Sequence, residues 1–303
     1  MNTILELSKF NHIKYYDEPH KYYINGEPTI SCTGFIHKFE EDFEVNLEKP
    51  DNWALKQGHE YKPKSMADRV AHKRNFYPME DDPYGRPDYS RPKPPEECVT
   101  AEEVQAEWTY LNNHATFEGS TLHDYIENYM TNRIFPYPAH SPEGLSFSEI
   151  ETTYRIMERQ FLNFYNTAVA TGKLIPVRSE LVVGDSELNL TGMVDQLFWN
   201  VKHKCLQIWD WKTNTKLNLI NKFGNKMLYM LYMLDACEFN TYSLQLNVYK
   251  KIIERNTNLR LGDSYLVWFN EENPNYEIIK CADYTNLAEE MFKFKLENPE
   301  MFV

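Results

Sequence analysis

The sequence predicts an α/β protein in which a mixed central β-sheet is flanked by helices. Three segments rich in β-branched and aromatic residues predict strands at 176–184, 188–199 and 204–212. In the long segment 146–171, apolar residues recur with the 3.6-residue period of a helix. Further helices are predicted at about 218–235 and 245–254. Strands and helices that succeed one another in this way favour a sheet with helices on its faces.

The amino-terminal elements are predicted to be a β-hairpin and the start of a helix. Ile13–Tyr16 and Lys21–Ile24 are two short aromatic strands, joined by residues 17–20. Asn25–Gly26 is a typical turn pair. Ser31 suits the N-cap of the helix that follows, because its hydroxyl can accept a hydrogen bond from the first turn.

The rest of the amino-terminal third is predicted to form a separate lobe. Residues 40–60 are acidic and irregular, and a helix is predicted at Ser65–Asn75. No regular element is expected at 78–98, because six prolines interrupt that segment. We therefore divide the chain into an amino-terminal lobe, 1–99, and a core with a carboxy-terminal helix, 100–303.

The remaining core elements complete the sheet and its cover. The predictions are helices at Thr100–Asn113 and Ser120–Asn132, strands at Leu261–Asn270 and Tyr276–Lys280, and an acidic amphipathic helix at 285–298. The aromatic run Met227–Leu234 is interpreted as part of a buried helix and not as a binding box.

Composition favours an enzyme of the reducing cytoplasm. Hydrophobic residues make up 42% of the 303 residues, which is enough for a sizeable core. The sequence lacks the run of about 18 apolar residues that a membrane span needs, and its start lacks the pattern of a secretory signal. The cysteines are scattered, which predicts free thiols and neither a zinc site nor an iron–sulfur cluster.

Net charge argues against a protein that wraps duplex DNA. The formal charge is −13, whereas such proteins present a broad basic face. Positive charge collects in one place, near the aromatic residues Tyr61, Phe76 and Tyr77, and its members are Lys62, Lys64, Arg69, Lys73 and Arg74. This basic cluster has the character of a path for single-stranded nucleic acid. An exposed helix without a ligand is an equally good interpretation.

Asp210 and Lys212 form the most informative pair in the sequence. Side chains on a strand alternate between its faces, so this carboxylate and this ammonium lie on one face and the flanking Trp209 and Trp211 on the other. A turn at 200–204 would form a hairpin with the preceding strand and bring Asp195 close to Asp210. Two carboxylates beside a lysine suit a divalent metal and the hydrolysis of a phosphodiester.

Four motifs in order along the chain resemble those of the PD-(D/E)xK nuclease superfamily, and within it the RecB-type exonuclease branch. The motifs are Gly119–His123 (GSTLH), Gly192–Asp195 (GMVD), Asp210–Thr213 (DWKT) and Gln245–Tyr249 (QLNVY). The resemblance covers roughly residues 105–255 and implies a restriction-endonuclease-like core. The first motif has an alternative interpretation, in which His123 simply pairs with Glu127 one helical turn away.

The resemblance also implies roles for individual residues. His123, Asp195 and Asp210 would bind Mg²⁺ or Mn²⁺ in a two-metal site, helped by the backbone carbonyl of Trp211, and Lys212 would be the catalytic lysine. Glu180 would join the catalytic residues, since many members carry a glutamate on the first core strand. Thr213, Gln245 and Tyr249 would support the site or contact the substrate.

These observations predict a metal-dependent deoxyribonuclease, most simply an exonuclease that acts on single-stranded DNA or DNA ends. The resemblance implies 5′-phosphate products and a role in DNA replication, recombination or processing, with proteins of those processes as partners. Composition and resemblance together suggest a phage or viral origin. The alternatives are an endonuclease on DNA or RNA with the same fold, and a catalytically silent nuclease-like protein that binds DNA in a replication or packaging complex.

Overall fold

The computed structural model describes residues 3–16, 21–41 and 52–302. Its α-helices are α1 (Thr3–Leu7), α2 (Cys32–His37), α3 (Asn52–Lys56), α4 (Met66–Arg74), α5 (Ala101–Met130), α6 (Phe147–Phe164), α7 (Glu238–Asn256) and α8 (Thr285–Glu297). Its strands are β1 (Ile13–Tyr16), β2 (Lys21–Ile24), β3 (Glu27–Pro28), β4 (Ile30–Ser31), β5 (Phe76–Pro78), β6 (Pro87–Pro92), β7 (Leu174–Asp185), β8 (Leu190–Asn200), β9 (Cys205–Lys212), β10 (Tyr265–Trp268) and β11 (Glu277–Lys280). The predicted connection 17–20 and residues 42–51 of the predicted acidic segment lie outside this part of the chain.

A mixed six-stranded sheet forms the centre, with the order β11-β10-β9-β8-β4 and with β7 on the other edge of β8. β8 runs antiparallel to β7 and β9, whereas β10 is parallel to β9 and β4 is parallel to β8. The predicted mixed sheet flanked by helices is confirmed. The three central strands also lie where their β-branched and aromatic residues predicted them, and the hairpin between β8 and β9 has formed.

Helices cover both faces of this sheet, and each face has its own apolar core. On β9, Leu206 and Ile208 pack in one cluster with residues of α2, α7 and α8. Trp209 and Trp211 pack in the other cluster with residues of α5 and α6. The two tryptophans therefore point away from Asp210 and Lys212, as the strand period predicts.

The amino-terminal elements belong to the core, which differs from the predicted division at residue 99. The chain forms two compact units, Met1–Glu40 with Phe117–Val303, and Glu41–Thr116. The reason is that β4 extends the central sheet by pairing with Leu190 and Thr191, while side chains of α2 are buried in the larger core cluster. The predicted caps and turns of this region are confirmed, since the Ser31 hydroxyl accepts a hydrogen bond from the backbone of Gly34.

Three predictions of local structure are wrong. Residues 40–60 are not wholly irregular, because helix α3 lies within them at Asn52–Lys56. The segment 218–235 is not a helix: it is an irregular connection with a 3₁₀ turn at Tyr229–Leu231, and Tyr232 and Met233 are exposed. The interpretation of Met227–Leu234 as a buried helix fails with it. The proline-rich segment is not without regular structure, because β5 and β6 pair as a two-stranded hairpin. Proline has no N–H group to donate to a neighbouring strand. The hairpin tolerates its prolines because both strands are edge strands, each with one side that pairs with no further strand.

The remaining helices agree with their predictions or extend them. The two helices predicted at Thr100–Asn113 and Ser120–Asn132 form the single helix α5, and α6 continues as a π-helix at Tyr165–Val169. Within the described part of the chain, every helix is too short or too polar to cross a bilayer.

Candidate metal centre

The candidate centre lies where β8 and β9 separate. Their backbone pairing ends at Gln196 and Trp209, but β9 runs on to Lys212 because it remains paired with β10. The side chain of Asp195 occupies the opening, and its Oδ2 accepts a hydrogen bond of 2.9 Å from the backbone N–H of Trp211. The Asp195 carboxylate thus accepts the hydrogen bond that a backbone carbonyl of β8 would otherwise accept from Trp211. This bond fixes the carboxylate between the two strands.

His123 reaches the same opening from helix α5. Its Nε2 lies 3.1 Å from the backbone carbonyl of Trp211, and its Nδ1 lies 3.6 Å from Oδ2 of Asp195. Glu127, the alternative partner of His123, instead forms an ion pair with Arg133. The geometry therefore favours a role of the imidazole in the site over a pair on the helix surface.

Glu180 completes a cluster of three ligand side chains. Its neighbours on β7, Ser179 and Leu181, pair with Gln196 and Val194, so Glu180 lies across from Asp195. One ligand atom each from His123, Glu180 and Asp195 all lie within 4.8 Å of one another.

Glu180 has a strained backbone conformation, and its surroundings disfavour the ionised form of its carboxyl group. Its φ angle is +44°, a conformation that costs a residue other than glycine about 1–3 kcal/mol and that is often retained at functional sites. Burial, with repulsion from Asp195 and other nearby carboxylates, raises the pKa of Glu180 to about 9. A bound cation would offset the repulsion among these carboxylates.

Asp210 and Lys212 lie beside this cluster as a buried ion pair. Nζ of Lys212 is 2.6 Å from Oδ2 of Asp210, and it also lies 4.4 Å from the centre of the Tyr242 ring. Burial outweighs the attraction of Lys212 and raises the pKa of Asp210 to about 6, with repulsion from Asp195 adding to the effect. Burial alone would lower the pKa of Lys212, but the carboxylates of Asp210 and Asp195 hold it above its ordinary value.

The donor set fits a divalent cation. His123, Glu180 and Asp195 offer an imidazole nitrogen and carboxylate oxygens that lie within 4.8 Å of one another, and Mg²⁺ or Mn²⁺ accepts such ligands. Of the predicted ligands, His123 and Asp195 lie together with Glu180, whereas Asp210 lies outside that cluster and pairs with Lys212.

At two motif positions, Gly119 and Gly192, side chains from other motifs come so close that they leave no room for a Cβ atom. A Cβ atom on Gly192 would lie 2.3 Å from Cε1 of Tyr249, and a Cβ atom on Gly119 would lie 2.9 Å from Oγ1 of Thr213. Gly192 thus lets α7 pack against β8, and Gly119 lets α5 approach the end of β9. The role of Thr213 in substrate binding stays a prediction, while its contact with α5 is structural.

Tyr249 and Gln245 act within the protein. Tyr249 is only 3% exposed, and its hydroxyl oxygen accepts a hydrogen bond of 2.9 Å from Nε2 of Gln245, which also donates to Thr33. Tyr249 is enclosed, so of its two predicted roles, support of the site fits and contact with DNA does not. Gln245 is half-buried and joins α7 to α2.

The basic cluster lies in the Glu41–Thr116 unit, on and just before helix α4. Lys62 and Lys64 are exposed, Arg69 and Lys73 are half-buried, and Arg74 forms an ion pair with Glu107. The neighbouring aromatic rings are not a free stacking surface, since Tyr61 stacks on His72 and Phe76 packs edge-on against Tyr89.

Sequence reasoning missed Tyr242, whose ring lies against the ammonium of Lys212. It precedes Gln245 by three residues on α7, so the i, i+3 spacing from that motif could have placed it on the same helix face. It missed the contact of Thr33 with Gln245 as well, and no pattern links two positions so far apart.

Comparison with known proteins identifies no family for this chain. The sequence matches no model of a known protein family and no curated protein. Similar solved structures include a "Putative exonuclease" from Eubacterium rectale, with 13% identity and a TM-score of 0.39 over 71% of this chain and 75% of that one. Another is SSO0001, with 14% identity and a TM-score of 0.23 over 52% of this chain and 64% of that one. At these TM-scores neither likeness bears on the function of this chain.

Proposed function

We propose that this protein is a divalent-metal-dependent nuclease that hydrolyses phosphodiester bonds. The observation that supports the proposal is the convergence of His123, Glu180 and Asp195 within 4.8 Å, beside the buried pair of Asp210 and Lys212. Carboxylate oxygens and an imidazole suit Mn²⁺ and Mg²⁺, with the imidazole favouring the softer Mn²⁺.

Each side chain has a role that its surroundings allow. A divalent ion at His123, Glu180 and Asp195 would supply Lewis-acid stabilisation of phosphate charge and acidify a water molecule. Because its pKa is held above the ordinary value, Lys212 is an ammonium near neutral pH. It therefore donates to the attacking water or to a phosphate oxygen and does not act as a general base. Asp210 keeps this ammonium in place.

The finer parts of the proposal rest on the four sequence motifs. We assign the chain to the PD-(D/E)xK superfamily and its RecB-type branch, and we take the substrate to be single-stranded DNA or DNA ends, with 5′-phosphate products. Residues from all four motifs contact one another around the centre, which supports reading them as one site. A role in DNA replication or recombination follows only by analogy with that branch.

The decisive experiment is cleavage of end-labelled linear single-stranded DNA, internally labelled circular single-stranded DNA and labelled RNA with Mn²⁺, with Mg²⁺ and with EDTA. We expect release of mononucleotides from linear DNA with either metal, and intact circles. Cleaved circles would instead identify an endonuclease. Absence of cleavage of DNA and RNA under all metal conditions would reject the enzyme in favour of a silent DNA-binding protein.

A further inference from the structure

A pocket of about 420 Å³ opens directly beside the candidate metal centre. One wall is the carboxy-terminal end of α5 and the residues just after it, and the other is the first half of β7. Glu180 lines the pocket and also belongs to the ligand cluster. A molecule in the pocket would therefore have one end at the metal ligands.

The pocket walls carry one cation, Arg178, that no described carboxylate neutralises. Arg133 forms an ion pair with Glu127 and donates to the hydroxyl of Thr131, so its charge is already compensated. Arg178 lies two positions before Glu180 on β7 and is exposed, and no described carboxylate forms an ion pair with it. Met130 and Pro176 also line the pocket and make part of its wall apolar.

We propose that this pocket binds the terminal nucleotide of a DNA strand, with Arg178 contacting a phosphate group of that nucleotide and Met130 and Pro176 contacting its sugar or base. The inference rests on the proposed nuclease function and adds to it the part of the site that selects a strand end. The phosphodiester bond on the inner side of this nucleotide lies at Glu180, where the metal ligands are.

Size and chemistry both favour one nucleotide. Pockets for small ligands have volumes of about 300–1,000 Å³, so 420 Å³ suits a single nucleotide and is too small for a turn of duplex. A guanidinium forms charge-assisted bonds with phosphate oxygens, and an apolar wall is the surface that a base or sugar covers. A pocket that holds one unit beside the cleavage centre yields mononucleotides, which is the behaviour of an exonuclease.

Two variants and one control test the subsite. Arg178→Ala removes the guanidinium that would bind the phosphate, and Thr131→Trp fills the pocket from an exposed position where a larger side chain does not disturb the core. Lys202→Ala is the matched control, because Lys202 is an exposed cation at the turn between β8 and β9. Binding of thymidine 5′-monophosphate is measured by calorimetry with and without Mg²⁺, and cleavage products of a 20-nucleotide strand are sized.

We expect wild type and Lys202→Ala to bind the mononucleotide alike, and both pocket variants to bind it at least about tenfold more weakly. The pocket variants should also release fewer mononucleotides, with longer products in their place. Equal nucleotide affinity and equal product lengths in all four proteins would overturn the subsite while leaving the nuclease intact. A wild type that binds the mononucleotide but cleaves no nucleic acid would instead overturn the proposed function and, with it, this role of the pocket.

Discussion

At the scale of single residues, the two central aspartates differ in their partners although they lie side by side. Asp195 accepts a hydrogen bond from the backbone N–H of Trp211, which an amide oxygen can also accept. Asp210 is the counter-ion of the buried Lys212, which an amide cannot replace. The same conservative substitution should therefore have opposite effects on stability at the two positions.

Asp195→Asn and Asp210→Asn should each lower the cleavage rate by more than about a hundredfold, since even changes around a metal ligand cost about 10–100-fold. Asp195→Asn should leave the free energy of unfolding unchanged or raise it, because repulsion with Glu180 and Asp210 is relieved. Asp210→Asn should lower it by up to about 3–5 kcal/mol, the cost of breaking a buried pair. Urea unfolding in EDTA measures both, and equal stabilities would contradict the assigned partners.

Glu180 should make the metal-free protein less stable as pH rises. Its pKa is 4.5 in its ordinary state and about 9 in the fold, so the unfolded chain loses the proton first and the folded protein must keep it. The free energy of unfolding contributed by this group is fully present below pH 4.5 and is lost as pH rises toward 9. Unfolding in EDTA at pH 5, 7 and 9 should show this loss in wild type.

Glu180→Gln should reduce that pH dependence and cleave poorly. The amide carries no charge to desolvate, so the variant should be more stable than wild type at pH 8 without metal. Glu143→Gln is the control, because Glu143 is exposed. A Glu180→Gln protein with wild-type pH dependence and cleavage would remove this residue from the centre.

At the scale of elements, the site depends on how closely a helix and a strand approach. The ring of Tyr249 on α7 packs against Gly192 of β8, where a Cβ atom would come within 2.3 Å of the ring. The φ angle of Gly192 is not positive, so the backbone itself would accept alanine. The requirement for glycine comes from the neighbouring ring alone.

Gly192→Ala should therefore lower the free energy of unfolding by about 1–3 kcal/mol through overpacking and should impair cleavage by shifting Asp195. In a Tyr249→Ala background the same change should cost almost nothing, because the ring has gone. A double-mutant cycle measured by urea unfolding gives the coupling between the two positions. Additive effects would show that the ring yields easily and that its packing does not position β8.

Elements built from long runs of strand-forming residues could be predicted from the sequence, and irregular ones could not. The strands β7, β8 and β9 are each eight or more residues long and rich in β-branched and aromatic residues, so their positions, and the hairpin that brings Asp195 toward Asp210, follow from the sequence. The run Met227–Leu234 has no such constraint. Its apolar residues fit a helix, but Asn221 and Asp235 instead fold the segment back through side-chain hydrogen bonds to its backbone.

The site was predictable in its members but not in its geometry. His123, Asp195, Asp210 and Lys212 follow from spaced motifs, whereas the nearness of Glu180 to His123 depends on a positive φ angle that no local pattern of the sequence indicates. The pairing of Asp210 with Lys212 depends on burial. Both features arise from the packing of distant segments.

At the scale of the whole molecule, the proposed nuclease would be an acidic protein that binds an acidic polymer. The net charge is −13, so long-range electrostatics oppose DNA binding and local positive charge must offset this. The basic cluster of the Glu41–Thr116 unit offers such charge, and Lys62 and Lys64 are its exposed members.

Lys62→Gln with Lys64→Gln should weaken binding to single-stranded DNA and reduce the slope of log affinity against log salt by about 1.4, or about 0.7 for each phosphate group that a lysine no longer neutralises. Cleavage at saturating DNA should change little. The matched control changes Lys202 and Lys204, two exposed lysines of the β8–β9 turn, to glutamine. If both pairs give the same affinity and slope, the lysines before α4 are ordinary surface charge.

The close approach of Gly119 to Thr213 also constrains how this sequence can change over generations. A Cβ atom on residue 119 would lie 2.9 Å from Oγ1 of Thr213. A larger residue can therefore replace Gly119 in evolution only after residue 213 has lost its γ-oxygen or helix α5 has shifted. The reverse order passes through a protein in which α5, and His123 with it, is displaced from Trp211. Related chains should therefore show paired differences at 119 and 213, and a chain with alanine at 119 and threonine at 213 should be rare.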